Sequence, residues 1–191
     1  MVAGRKRLTA RDWTSAALTA LAEGGIAAVA VEPIAASLGT TKGSFYWHFP
    51  NREALLEAAL AEWERTRTED VITLVEGEPD LRRRLHKLLT VALGAGTERP
   101  AERIELALQA NADHPLVAPA LARVTSRRLD YLTQVFAGLG FPPDDARRRS
   151  LLAYTAYLGH AQLAHATPQA VPTGDELAAY VDAVIATLTA R

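Results

Sequence analysis

The chain has 191 residues, 49% of them apolar, a net charge of −1 and no cysteine. Disulfides and thiolate metal sites are thereby excluded, as is polyanion binding by bulk charge alone. No apolar run is long enough to cross a bilayer and no apolar segment follows the basic start. Neither a membrane span nor a signal peptide is therefore expected, and the expected compartment is the cytoplasm. Ala and Leu dominate while strand-like alternation is scarce, which predicts an all-α fold.

In chain order, Thr9 is placed to cap a first helix with Trp13, Ala17, Ala20 and Leu21 on one face, ended by Gly24-Gly25. A second helix carries Val31, Ile34, Ala35 and Leu38, and Gly39 closes it. A very short third helix follows, and Pro50 breaks it. Asn51 then caps a longer helix with Leu56, Ala59, Leu60 and Trp63 on one stripe, bounded by Gly77 and Pro79. Five further helices are expected. They lie at about 80–95, at about 101–112, from Pro115 to Gly138 or Gly140, from Asp144 to about His165, and from a capping box at Thr173-Gly174-Asp175-Glu176. The total is about nine. The expected division is 1–50 as a three-helix domain, 51–76 as a connecting helix and 77–191 as a larger helical bundle.

The third helix is too short to form a core, so its faces matter. At 3.6 residues per turn Phe45 and Phe49 share a side and root it. Gly43, Ser44 and Trp47 fall opposite, with Lys42 and Tyr46 at one edge and His48 near the other. Such a face suits a DNA major groove. Gly43 permits close approach, Ser44 can bond a base edge and Trp47 can touch a thymine methyl. Lys42, Tyr46 and His48 are placed for phosphates, and Thr41 can cap the helix while facing DNA. Residues 1–52 hold six cations against three acids, a modest local basic excess.

The stretches Ala20-Leu21-Ala22-Glu23-Gly24-Gly25, Ile34-Ala35, Leu38-Gly39, Lys42-Gly43-Ser44-Phe45-Tyr46, His48-Phe49 and Arg52-Glu53-Ala54-Leu55 follow one another in one ungapped block. On these, residues 8–63 resemble the N-terminal helix-turn-helix domain of the TetR/AcrR family of bacterial transcriptional regulators. The resemblance implies an all-helical homodimer that binds double-stranded operator DNA and is released by a small molecule, here expected to be hydrophobic, with repression as the default. It carries DNA contacts onto Thr41, Lys42, Gly43, Ser44, Tyr46, Trp47 and His48, and backbone contact onto the region of Arg52. Two departures stand out. Ala30 stands where the family often has a capping Thr or Ser, and Glu32 follows where a phosphate would lie close. The arm Arg5-Lys6-Arg7 is a candidate to compensate, or else a solvated terminus.

In the body, a ligand pocket is expected between the fourth and eighth helices. Trp63, Leu89, Leu93, Leu108, Tyr131 and Phe136 are candidate apolar walls, and His86, Gln109, Asn111 and Tyr157 candidate polar anchors. Each also fits an ordinary core or surface position. The dimer is expected to use the last two helices, with Leu151, Tyr154, Leu158 and Ala161 on one and Tyr180, Val184 and Leu188 on the other. Subunit core is the competing reading for these residues. The five histidines show no zinc spacing, and neither a nucleophile elbow nor a phosphate-binding glycine loop occurs, so no enzyme, metal or cofactor is expected. Two rival functions stay open, a ligand-independent DNA-binding regulator and a helical small-molecule-binding protein without DNA function.

Overall fold

Thr9 opens the first helix with a reciprocal capping box: its hydroxyl accepts from the Asp12 amide and its own amide donates to the Asp12 carboxylate. The computed structural model describes residues 8–94 and 100–190. The Arg5-Lys6-Arg7 arm lies outside the described residues.

We label nine helices. They are α1 (Ala10–Ala28), α2 (Val31–Ser37), α3 (Lys42–Phe45), α4, α5 (Leu81–Leu93), α6 (Pro100–Gln109), α7 (Val117–Gly138), α8 (Pro143–Ala166) and α9 (Gly174–Thr189). The label α4 covers one continuous run, α-helical over Arg52–Glu64, π-helical over Arg65–Glu69 and α-helical again over Asp70–Glu76. No strand occurs among the described residues.

The helix ends show where local signals succeed and where they fail. Asn51 caps α4 through the Ala54 amide as expected, and Asp80 caps α5 through the Arg83 amide. Gly24-Gly25 bends α1, and one more turn follows to Ala28. Ala30 gives α2 no side-chain cap, the loss its side chain implies. Three expected caps do not form. Thr41 makes no capping bond to α3. Thr173 makes none to α9, because Gly174 enters the helix at φ 56° and turns the threonine away from the first-turn amides. Pro142 and Pro143, with φ set by their rings, open α8 and leave Asp144 inside its first turn.

Two apolar cores form among the described residues. The first joins Trp13, Leu21, Ile34, Phe45, Leu55 and Trp63 to Ile104 and Leu108 of α6 and Val117 to Val124 of α7. The second joins Ile72 and Val75 at the end of α4 to α5, the later half of α7, α8 and α9. The first core therefore includes α6, against which α1 packs closely. Helices α4 and α7 each run through both cores. The three-helix domain is thus seated on the body by shared side chains, and a shift in α4 or α7 is felt in both.

Candidate nucleic-acid interface and ligand cavity

The short helix is rooted as its pattern requires. Phe45 is fully buried, with Trp13 edge-on at 5.4 Å and Phe49 stacked at 5.8 Å. Such aromatic pairs stabilise beyond their buried area. The α-helical part is one turn. Tyr46, Trp47 and His48 continue it as a turn held by amide bonds from His48 and Phe49 to the Phe45 carbonyl. Trp47 is 89% exposed and Tyr46 55%. Thr41, Lys42 and Gly43 are exposed, and Ser44 and His48 half-buried.

Two charged residues behave differently from the expectation. Lys42 Nζ lies 2.6 Å from Glu32 Oε1 on the exposed surface of α2. The bond from Lys42 holds the Glu32 carboxyl below its usual range, and the same bond raises the Lys42 amine. A phosphate reaching Lys42 must compete with Glu32. Arg52 donates from Nε to the Val29 carbonyl at 2.5 Å and from Nη2 to the Ile26 carbonyl at 2.6 Å. Its guanidinium tethers the start of α4 to the α1–α2 connection, and the Ile26 carbonyl accepts from it as well as from the Val29 amide.

In the body, a cavity opens between α4, α5, α7 and α8. Of the ligand candidates, Leu89, Tyr131 and Tyr157 line it. The other candidates do not. Trp63 is buried beneath Arg128 rather than on the wall. Leu93, Leu108 and Phe136 are sealed in the cores. His86 is exposed and lies 3.2 Å from Asp182 of α9. Gln109 is exposed at the end of α6, and Asn111 donates to the Ala107 carbonyl, closing that helix. Short polar residues beyond a helix end satisfy its free carbonyls first.

Charged residues that the apolar search passed over build one wall. Arg128 lies between the Trp63 and Tyr157 rings, 5.7 and 5.6 Å from their centroids. It donates to Glu105 at 3.1 Å, to Thr68 Oγ1 at 3.1 Å and to the Arg67 carbonyl at 3.3 Å. Arg67 and Thr68 belong to the π-helical stretch, where widened hydrogen bonding leaves carbonyls for other donors. Burial alone would depress the Arg128 guanidinium, but the Glu105 carboxylate and the neighbouring tyrosines hold it above its usual value. The signal was present in the sequence. Arg128 lies four residues after Val124 and four before Leu132, on the buried stripe of α7.

The dimer candidates divide. Tyr154 lines the cavity, and Tyr154, Ala161 and Leu188 are buried within the subunit. Leu158, Tyr180 and Val184 pack on the second core. Only Leu151 is open, with Leu152 and Leu163 beside it on α8, 49–60% exposed. A side chain added at Gly159 would meet nothing within 4 Å. The open stripe of α8 is thus turned about one residue from the expected one, because α7 takes up the Tyr154 side.

Residues 14–59 match the profile of bacterial regulatory proteins of the tetR family. That match is confined to the N-terminal helical domain, the segment that carries α1 to α3 and the start of α4. No curated protein matches it. Among solved structures, a transcriptional regulator from Rhodococcus sp. Rha1 superposes at a TM-score of 0.79 and 20% identity, over 95% of this chain and 96% of that one. A TetR-family regulator from Rhodococcus sp. has 25% identity and a TM-score of 0.65, over 92% and 98%. AibR, solved with isovaleryl coenzyme A and operator DNA, has 20% identity and a TM-score of 0.70, over 93% and 96%. At such identities the likeness is one of fold, and it extends the TetR architecture from the matched domain to the whole chain. Regulators of this family act by binding DNA and are not enzymes. Among the described residues no helix is long and apolar enough to cross a membrane.

Proposed function

We propose that this chain is a cytoplasmic, ligand-responsive transcriptional regulator of the TetR family, a repressor that leaves its operator when a small hydrophobic molecule fills the body cavity. One observation carries the reading: α4 roots the DNA-facing unit at one end and walls the cavity at the other. Leu55, Leu56 and Leu60 pack with Phe45 in the first core, and Arg67, Thr68, Val71 and Ile72 line the cavity. A ligand that favours one setting of α4 shifts the population of reader-helix positions. AibR, of the same fold, binds both kinds of partner, which supports the reading.

The reader face is Thr41, Lys42, Gly43, Ser44, Tyr46, Trp47 and His48, with Arg52 as its tether. Two copies of this face are needed to reach half-sites about 34–36 Å apart, so the working form is a homodimer. Its interface includes the open stripe of α8 at Leu151, Leu152, Gly159 and Leu163, with α9 alongside. The domains are then 1–50 for DNA, 51–76 as the lever and 77–191 for ligand and partner subunit.

Fluorescence anisotropy on DNA flanking the chain's own gene tests this, with and without molecules that raise its melting temperature. Sequence-specific binding that such a molecule abolishes is the expected result. Binding with a strong salt dependence and no preference among sequences would defeat the reading.

A further inference from the structure

The cavity taken above as the effector site carries charges whose balance identifies what it binds. Arg128 is matched by Glu105, and Arg127 by Glu69 at 3.1 Å. At Tyr131, which burial raises above its usual range, Arg84 and Glu76 act in opposite senses. Arg67 is the exception. It lines the cavity from the π-helical stretch, half-buried, and among the described residues its side chain has no ion pair or hydrogen bond. Its guanidinium lies within electrostatic reach of Tyr157. Burial pushes that hydroxyl well up and Glu105 adds to the effect, while Arg128 and Arg67 oppose it. The rest of the wall is mainly apolar, from Val71, Leu88, Leu89, Ala92 and Leu132, with Thr68 and Tyr154 also on it.

We propose that the effector is an amphiphilic monoanion whose carboxylate pairs with Arg67 while its apolar body fills the space between α4, α5 and α7. The assignment rests on the reading of this cavity as the effector site. A neutral apolar ligand would strip water from Arg67 and return nothing to it, a costly desolvation. A cation would meet a wall already in excess of positive charge. Glu105 cannot serve that cation, because its carboxylate accepts three bonds from Arg128. A second anionic group would find no second unmatched guanidinium. Tyr157, kept protonated by burial, adds a hydroxyl donor near the carboxylate.

Titration calorimetry on the full chain without DNA tests the assignment. The probes are decanoate, decanol and decyltrimethylammonium, each below its micelle concentration. Decanoate is expected to bind most tightly. Arg67→Met is expected to weaken decanoate about tenfold or more and leave decanol unchanged, while Arg67→Lys restores most of the loss. Failure of decanoate to bind, parity between decanoate and decanol, tighter binding of the cation, or an Arg67→Met chain that holds decanoate normally would each overturn it. Operator anisotropy separates the two readings. Decanoate bound through Arg67 with operator affinity unchanged sinks the release mechanism and leaves the ligand class standing. Release by a molecule of another class, with no decanoate binding, does the reverse.

Discussion

Glu32 holds Lys42 through a 2.6 Å ion pair on the face where the reader helix meets solvent. Both side chains are more than half exposed, so the pair adds little to folding. Its consequence is for DNA. A phosphate must displace Glu32 to take Lys42, and the carboxylate itself repels the duplex. Glu32→Gln is expected to raise affinity several-fold for every sequence tested, with melting temperature unchanged. Lys42→Ala is expected to weaken all sequences alike and to reduce the slope of affinity against salt. Anisotropy across a salt series reads both, and an unaltered affinity in Glu32→Gln would place this pair away from the phosphates.

Phe45 and Trp47 are two positions apart and separate folding from recognition. Phe45→Ala removes a fully buried ring wedged between Trp13 and Phe49, and about 3–5 kcal/mol of stability is expected to go with it. Trp47→Ala removes a ring already in water and is expected to leave stability within about 0.5 kcal/mol. Specific DNA binding should fall far more than non-specific binding in that variant. Denaturant melts paired with competition binding distinguish the two. A large stability loss in Trp47→Ala would contradict the exposed placement of the ring.

The N-terminal unit was legible because its signals are local. Phe45 and Phe49 recur one turn apart, Gly39 supplies the left-handed turn at φ 64°, and Thr9 and Asn51 cap with nearby amides. The cavity was legible only in outline, since its walls come from residues far apart in sequence. Leu89, Tyr131 and Tyr157 stood out as large residues on helical stripes. Arg67 and Arg128 did not, because a cation on a stripe reads as a solvated flank until an acid such as Glu105 arrives from another helix. The open stripe of α8 was misplaced for a related reason: which apolar side faces inward depends on where α7 packs. The π-helical stretch had no sequence signal at all, since it is held by Arg128 from 60 residues away.

His160 packs against Tyr180 of α9, ring to ring at 5.7 Å. Burial lowers its pKa below the usual imidazole range, only partly offset by a backbone contact at Leu93. Folding therefore favours the neutral ring. The resulting stability is complete above the ordinary histidine pKa near 6.5 and is lost as pH falls from there through the lowered folded value. His160→Phe is expected to flatten that acid limb of the stability profile. Denaturant melts at a series of pH values check it, and an identical acid limb in the variant would mean other groups carry the dependence.

Arg128 and Glu105 form a nearly sealed pair, with side chains 13% and 2% exposed. Removing one partner strands the other in an apolar setting, so Arg128→Met alone is expected to cost about 3–5 kcal/mol. Replacing both, as Arg128→Met with Glu105→Leu, removes the stranded charge and should recover most of that loss, since desolvation offsets much of what such a pair contributes. The double variant still lacks the donor to Thr68 and to the Arg67 carbonyl, and so loses the clamp on the π-helical stretch. A chain restored in stability is then expected to show faster amide exchange over residues 65–69 and a weaker link between ligand and DNA. Stability recovered together with unchanged exchange there would mean that Arg128 neutralises Glu105 without holding α4, and the lever would have to be sought where α7 crosses into the first core.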